Sequence, residues 1–305
     1  MQKLKKYMSG SAFFQYAVNT LMFIFLLIMA YPLIYVVSCS FSDPDAVNAG
    51  KVILWPVGFT LKGYEKVFEN TDIWIGYANT IFYTVVGTSI NLLVTIPAAY
   101  ALSRRELKGK NIFMIFFMVT MYIGGGLVPT YLVIKDLGLL NTRSLLVILG
   151  ALSVYNMIVA RTFFSSSIPY EITEAARIDG CDDISILTKI VLPLSKAIIV
   201  VLTLYYGIGH WNSYFNAMIY LKDREKYPLQ MFLREILLLS KYEAENLMNG
   251  ASMTLDEIAA IQEAAKNADL IKYCVIIVAT LPMLLIYPKL QKYFEQGVMI
   301  GSVKG

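Results

Sequence analysis

Glu174-Ala175-Ala176-Arg177-Ile178-Asp179-Gly180-Cys181, running on to Ile190-Val191-Leu192-Pro193, is a charged, water-facing stretch set between two long apolar runs. Pro169 fixes φ in a first turn whose positive end meets Glu171 and Glu174, which marks a helix start. Gly180 ends that helix. Asp182 and Asp183 then cap a second short helix, whose apolar residues Ile184, Leu187, Ile190 and Val191 recur at helical spacing until Pro193 stops it. Helices this short are marginal in water unless packed. The first carries a narrow stripe of Ile168, Ile172, Ala175 and Ala176 opposite its charges, so a partner outside the membrane is expected to pack on it.

Around this segment the chain is too apolar for an ordinary soluble domain: of 305 residues, 57% are hydrophobic and 16% charged. It reads as an all-α integral membrane protein. Runs of the roughly 20 apolar residues that cross a bilayer lie near 14–38, 76–102, 112–134, 145–164, 197–220 and 273–290, which predicts six transmembrane helices in a single domain covering 1–305. Gly124-Gly125-Gly126 and Pro129 interrupt the third run, and Pro282 the sixth.

Lys and Arg in the short loops set the orientation. Lys3, Lys5 and Lys6 precede the first run, Arg104, Arg105, Lys108 and Lys110 crowd the loop after the second, and Lys289, Lys292 and Lys304 follow the last. All fall on one face. An even number of spans then places both termini, the loop 165–196 and the tail 291–305 in the cytoplasm. Asp43, Asp45, Glu65, Glu69 and Asp72, with most of the remaining acids in the loop 222–271, fall outside. The net charge of +4 is thus a topology signal, and no nucleic-acid partner is implied.

Several chemistries are missing. Val36-Val37-Ser38-Cys39 loosely fits a lipoprotein cleavage site, but the apolar run before it exceeds the roughly 7–15 residues of a signal core. Cys39, Cys181 and Cys274 are scattered and lack metal-ligand spacing, so no metal site is expected. No G-x-x-x-x-G-K-[ST] is present to cradle nucleotide phosphates. The apolar runs hold almost no carboxylates of the kind ion-coupled carriers use. His210 has no second His, Cys or acid close by and reads as a packing histidine. Asp43-Pro44-Asp45 suits a rigid turn or, in an alternative reading, the metal-holding D-x-D of a polytopic glycosyltransferase.

Tyr205, Tyr206, His210, Trp211, Asn212, Ser213, Tyr214 and Asn216 crowd the fifth run with aromatic and polar groups, the mixture that binds sugar rings. The competing reading is an aromatic belt at the outer interface, assigned to Trp211 and Tyr214. Tyr206 and His210, one turn apart, with Asn212 and Asn79, are the candidates for a solute path. Asn79 and Asn91 also suit interhelical hydrogen bonding. In the loop 222–271, Pro228 starts an amphipathic helix of Leu229, Phe232, Leu233, Ile236 and Leu237, and Thr254 with Glu257 forms a capping box. That loop serves either as a docking surface for an extracytoplasmic partner or as a helix on the lipid surface.

The opening segment resembles the EAA loop of permease subunits in binding-protein-dependent ABC importers. Glu174, Ala175, Ala176, Asp179, Gly180, Ile190, Leu192 and Pro193 match the motif, with Cys181 where alanine is usual and Leu187 where phenylalanine is. Ser40-Phe41-Ser42-Asp43-Pro44-Asp45, Thr280-Leu281-Pro282 with Tyr287-Pro288, and the tail from Gln291 to Gly305 are similar to the maltose-type sugar permeases, in particular those serving lipo-oligosaccharides and complex oligosaccharides. The resemblance implies a type I ABC importer permease fold and uptake of an oligosaccharide, with no reaction at this chain. It also implies a second homologous permease, two ATPase subunits that use ATP and Mg, and an extracytoplasmic solute-binding protein, all at a bacterial cytoplasmic membrane. Glu174 to Pro193 would couple to the ATPase, and Gly301, Lys304 and Gly305 would make a second contact with it. Importers of amino acids, peptides or phosphate share the architecture and lack this tail.

Overall fold

The computed structural model describes residues 2–248, 271–286 and 288, with side chains described over 13–238, 271–286 and 288. Every regular element among them is helical. The expected Thr254–Glu257 capping box and the tail residues Gly301, Lys304 and Gly305 lie outside the described residues. The chain divides into two compact units, Met1–Asn70 with Leu233–Thr280 and Thr71–Phe232 with Leu281–Gly305.

In the first unit, α1 (Gln2–Ser40) is apolar from Phe13 onward, and residues such as Leu26 and Met29 stand 60% and 73% exposed. Such a surface is stable only against lipid or another subunit. Hydroxyls knot the chain where α1 ends. Ser38 donates to the Leu54 carbonyl at 2.6 Å, Ser42 donates to the Ser38 carbonyl at 2.6 Å, and Tyr64 donates to Ser40 Oγ at 2.8 Å. Asp43 caps the short α2 (Pro44–Asn48), accepting from the Asp45 amide at 2.9 Å. That is a turn-forming use of Asp43-Pro44-Asp45. Tyr64 belongs to α3 (Lys62–Glu69).

The second unit is organised by α4 (Thr71–Ser103), a 33-residue helix with Pro97 inside it. Asn79, Tyr83, Gly87, Asn91, Thr95 and Ala99 are all buried and follow one another at four-residue steps, so one stripe faces the protein. After it come α5 (Lys110–Tyr122), α6 (Leu127–Asp136), α7 (Arg143–Ile148), α8 (Val154–Ser167), α9 (Tyr170–Ile178), α10 (Asp183–Ser185), α11 (Leu192–Leu194), α12 (Lys196–Trp211) and α13 (Phe215–Tyr220), and α4 packs chiefly on α7, α8 and α12. α14 (Leu229–Met248) follows after a 3-10 turn, and Ile271–Ile286 forms a shorter apolar helix, α15.

The expected spans are cut differently by the backbone. Among the described residues, α1 from Phe13 and α4 are each long and apolar enough to cross a bilayer alone. The run 112–134 is two helices bent by 110°, with Gly126 at φ +85° between them. The run 145–164 is α7 and α8 separated by an irregular stretch around Gly150, φ +78°. The run 197–220 breaks after Trp211, and α12 itself leaves the preceding Asp183–Leu194 segment at 85°. Glycine supplies the positive φ at the first two corners, while the breaks at Ser195 and Asn212 keep negative φ, −106° and −90°.

Candidate functional site

The segment 165–196 forms a helix-turn-helix. α9 starts after Pro169 and closes in a Schellman turn: the Gly180 amide donates to the Arg177 carbonyl at 3.0 Å and the Cys181 amide to the Ala176 carbonyl at 2.9 Å. Gly180 adopts φ +82°, open to glycine and costly for other residues. Asp182 then caps the next helix by accepting from the Ser185 amide at 3.3 Å, and the Ser185 side chain, helped by this and neighbouring backbone bonds, holds its carboxyl below the ordinary aspartate range.

That second helix is not a regular α-helix. Between α10 and α11, Ile186–Val191 forms a π-helical turn, closed by the Leu192 amide on the Leu187 carbonyl. Pro193 has no N–H, so the Lys189 carbonyl loses its α-helical donor. The wider turn buries Ile186 and Val191, five positions apart, and leaves Ile184 72% exposed. Of the expected apolar face, Val191 is buried and Leu187 and Ile190 pack partly buried against the same core, whereas Ile184 is corrected: Ile186 takes the buried place, because the wider turn shifts the phase. The stripe on α9 is corrected likewise: Ile168 and Ala176 are buried in the unit's core, whereas Ile172 is 40% exposed. Glu174, Ala175, Asp179, Gly180 and Pro193 are exposed, and Ile190 and Leu192 are half-buried. Ile178, 83% exposed, stands beside these charges. The segment thus presents acids and bare isoleucines outward while its other side is anchored.

The anchor is a network centred on Arg177. Its Nη1 donates to Glu106 Oε1 at 2.8 Å and its Nη2 to Asp183 Oδ1 at 2.8 Å, while the Tyr170 hydroxyl donates to the same Glu106 oxygen at 2.7 Å. Partial burial works to raise the Glu106 carboxyl, but the Tyr170 hydrogen bond, its own backbone and the charges of Arg177 and Arg104 outweigh it, and the group titrates below its ordinary range. The Asp183 hydrogen bond holds the Arg177 guanidinium further toward its charged form. One arginine thus ties α9 to the loop after α4 and to the helix beyond Gly180. Glu106, Tyr170 and Asp183 are not evident from sequence as a group, since 71 positions separate Glu106 from Arg177. The charge signature of Arg177 inside the motif is the one available signal.

The candidate solute-path residues fall into different roles. The Tyr206 hydroxyl lies 2.7 Å from Thr95 Oγ1 and accepts from the Ser153 amide at 3.2 Å. His210 Nε2 lies 2.7 Å from Asn91 Oδ1, and Asn91 Nδ2 donates to the carbonyls of Gly150 and Ala151 at 3.0 and 2.9 Å. Both side chains thus serve the irregular stretch between α7 and α8, whose backbone groups need partners away from water. Asn79 donates to the carbonyls of Glu225 and Tyr227 at 2.7 and 3.0 Å and clamps the turn before α14, beside the Arg224–Asp72 ion pair of 2.8 Å. Asn212 is exposed at the C-cap of α12. Trp211, assigned to an interfacial belt, is instead 5% exposed and meets the Tyr77 ring edge-on at 6.2 Å.

The sequence of residues 73–300 matches the family model described as binding-protein-dependent transport system inner membrane component. Protein LplC of Bacillus subtilis is 40% identical over 274 residues, 90% of this chain and 89% of that protein. The polygalacturonan/rhamnogalacturonan transport system permease protein YtcP of the same organism is 38% identical over 92% of this chain and 94% of its own length. A chain in the crystal structure of a bacterial ABC transporter involved in the import of the acidic polysaccharide alginate superposes with a TM-score of 0.81 at 34% identity, covering 93% of this chain and 98% of that one. The matched region contains α4, the Arg177-anchored segment and the helices around them, and on these grounds the chain belongs to the family of inner membrane components of binding-protein-dependent transport systems.

Proposed function

We propose that this chain is the permease subunit of an ATP-driven oligosaccharide importer, with six membrane spans, cytoplasmic termini and the loop 165–196 on the cytoplasmic face. It works with a second homologous permease, two ATPase subunits that consume ATP and Mg, and an extracytoplasmic solute-binding protein docking near the loop 222–271. The chain binds no nucleotide itself. Closure of the ATPases drives the coupling segments together, and the permease halves rock between inward-facing and outward-facing states, a two-state change biased by nucleotide and loaded binding protein.

The observation that carries this reading is the Arg177 anchor. It ties a short helix pair to the loop after α4 while Glu174, Asp179, Ile178 and Gly180 remain exposed, an arrangement suited to receiving a push and passing it to a spanning helix. Relatives named for saccharide polymers support an oligosaccharide as the solute. The tail residues Gly301, Lys304 and Gly305 are assigned a second contact with the ATPase.

Co-purification tests the proposal. A tagged, gently solubilised chain is expected to bring down an ATPase and a second permease, and disruption of Glu174 to Leu192 is expected to release the ATPase alone. Recovery of the chain by itself from its own host would overturn the reading.

A further inference from the structure

Halfway along α4, two threonine hydroxyls are held in an unusual way. Thr130, Thr162, Thr188 and Thr203 each return their hydroxyl to the carbonyl four residues back, at 2.7 to 2.9 Å. That is how a helical threonine satisfies itself away from water. Thr84 and Thr88 do not: both hydroxyl oxygens are buried without a hydrogen-bond partner. Leaving a hydroxyl unpaired in an apolar surround costs on the order of 1–3 kcal/mol. Two such groups one turn apart mark a surface kept for something that arrives.

They line a half-open cavity of about 310 Å³ together with Thr203, Leu204 and Gly207 of α12 and Met283 of α15. Its size sits at the lower end of small-molecule sites. Thr84 and Thr88 flank the midpoint of the 33-residue α4, and Thr203 is central in the 16-residue α12. The cavity therefore lies at mid-membrane depth, where transporter sites form. Gly207 faces the two threonines: a Cβ there would lie in ordinary contact, 3.9 Å from Thr88 Oγ1 and 4.0 Å from Thr84 Cγ2. The apolar walls suit the C–H faces of a sugar ring, and two free hydroxyls suit its OH groups. A site with so few polar contacts also releases what it binds, as a conduit must.

We propose that the face of α4 bearing Thr84 and Thr88, opposite Gly207, is where a polyhydroxylated solute touches this subunit during its passage. The Tyr206 and His210 cluster lies outside that contact because its polar atoms are engaged with Thr95, Ser153 and Asn91. This inference rests on the importer reading above.

The test uses the complete transporter in vesicles, with Cys39, Cys181 and Cys274 replaced by alanine. Thr84→Cys and Thr88→Cys are treated with a charged, membrane-impermeant methanethiosulfonate and with lipid-soluble N-ethylmaleimide, during turnover with ATP. Leu93→Cys, at a position 73% exposed on the outer flank of the same helix, is the lipid-facing control. The charged reagent is expected to modify both cysteines at least tenfold faster than the control. Thr84→Val with Thr88→Val, which preserves volume, is expected to lower kcat/KM for uptake from a mixed plant- and algal-polysaccharide digest by about tenfold, the loss of one to two hydrogen bonds. Modification by the maleimide alone would make this a lipid face, and a disulfide to the second permease would make it a subunit interface. Either result overturns the proposal, as does unchanged uptake in the double valine variant. Failure of the unsubstituted transporter to take up any oligosaccharide would overturn the solute reading instead, while the labelling still decides whether the cavity lies on an aqueous path.

Discussion

His210 Nε2 stands 2.7 Å from Asn91 Oδ1, and through Asn91 the histidine on α12 secures the gap between α7 and α8. Asn91 spends both amide hydrogens on the carbonyls of Gly150 and Ala151, so its oxygen must accept and the histidine must donate. Asn91 is 1% exposed. Replacing it with leucine keeps the volume but strips two carbonyls and an imidazole of partners where no water replaces them. Asn91→Leu is expected to lose about 2–4 kcal/mol, read as a drop of several degrees in thermal unfolding in detergent. Unaltered unfolding would show that the break supports itself.

Two glycines of α4 both oppose alanine, but only one of them in a way that a second substitution can relieve. A Cβ on Gly87 would fall 2.4–2.9 Å from three atoms of the His210 ring, and one on Gly76 would fall 2.9 and 3.1 Å from backbone atoms of Leu229. Alanine is otherwise the better helix former by up to about 1 kcal/mol. Gly87→Ala is expected to destabilise the protein, and His210→Ala in the same chain to restore part of the loss, since trimming the ring clears the space. Gly76→Ala is expected to destabilise with no such rescue, because backbone has nowhere to fold away. Thermal unfolding of the four variants checks this; additive losses for Gly87→Ala and His210→Ala would refute the contact.

The residues that were legible in sequence are those whose signals are local. Pro169, Gly180 and Asp182 each do what their chemistry dictates at a helix end, and Leu229 begins α14 directly after Pro228. The break in the third apolar run was signalled by Gly124-Gly125-Gly126, whereas that in the fourth was hidden because part of its cause is distant: Leu145 to Ala151 reads as hydrophobe broken only by Gly150, and Asn91 supplies donors to its corner from 59 and 60 positions away. Helical periodicity failed at Ile184, since a proline seven residues on from Ile186 removes a donor and opens the turn by one residue. Trp211 shows the limit of a composition argument, as an aromatic near a span's end serves the belt or the interior according to whether a Tyr77 lies opposite.

Acid should loosen the coupling segment, and at a definable point. Glu106 titrates below its ordinary value of 4.5 in the folded protein, so its stabilising share is complete above that pH and is lost as pH falls through the lower, folded value. Its carboxylate and Arg177 are each more than a third exposed at the side chain, which limits the pair to about 1 kcal/mol. Glu106→Gln is therefore expected to unfold slightly below the unsubstituted protein at pH 7, with the gap narrowing as pH falls below 4.5. A gap of unchanged size as pH falls below 4.5 toward the limit of folding would assign the difference to packing rather than charge.

Gly180 concentrates the argument about coupling in one dihedral angle. Its φ of +82° closes α9 and returns the chain so that Asp183 reaches Arg177, while no atom lies within 4 Å of a Cβ built there. Space is thus irrelevant and conformation decides. Proline, confined near φ −65°, cannot make the turn, whereas asparagine enters the left-handed region for a modest cost. Gly180→Asn is expected to retain most binding-protein-stimulated ATP hydrolysis and solute uptake, and Gly180→Pro to lose both by more than tenfold with membrane insertion unchanged. The buried side of the segment, held by Ile186 and Val191 in the core of the unit, keeps the proline variant folded, so the loss reads as broken transmission. Normal uptake by Gly180→Pro would mean that the turn carries no force.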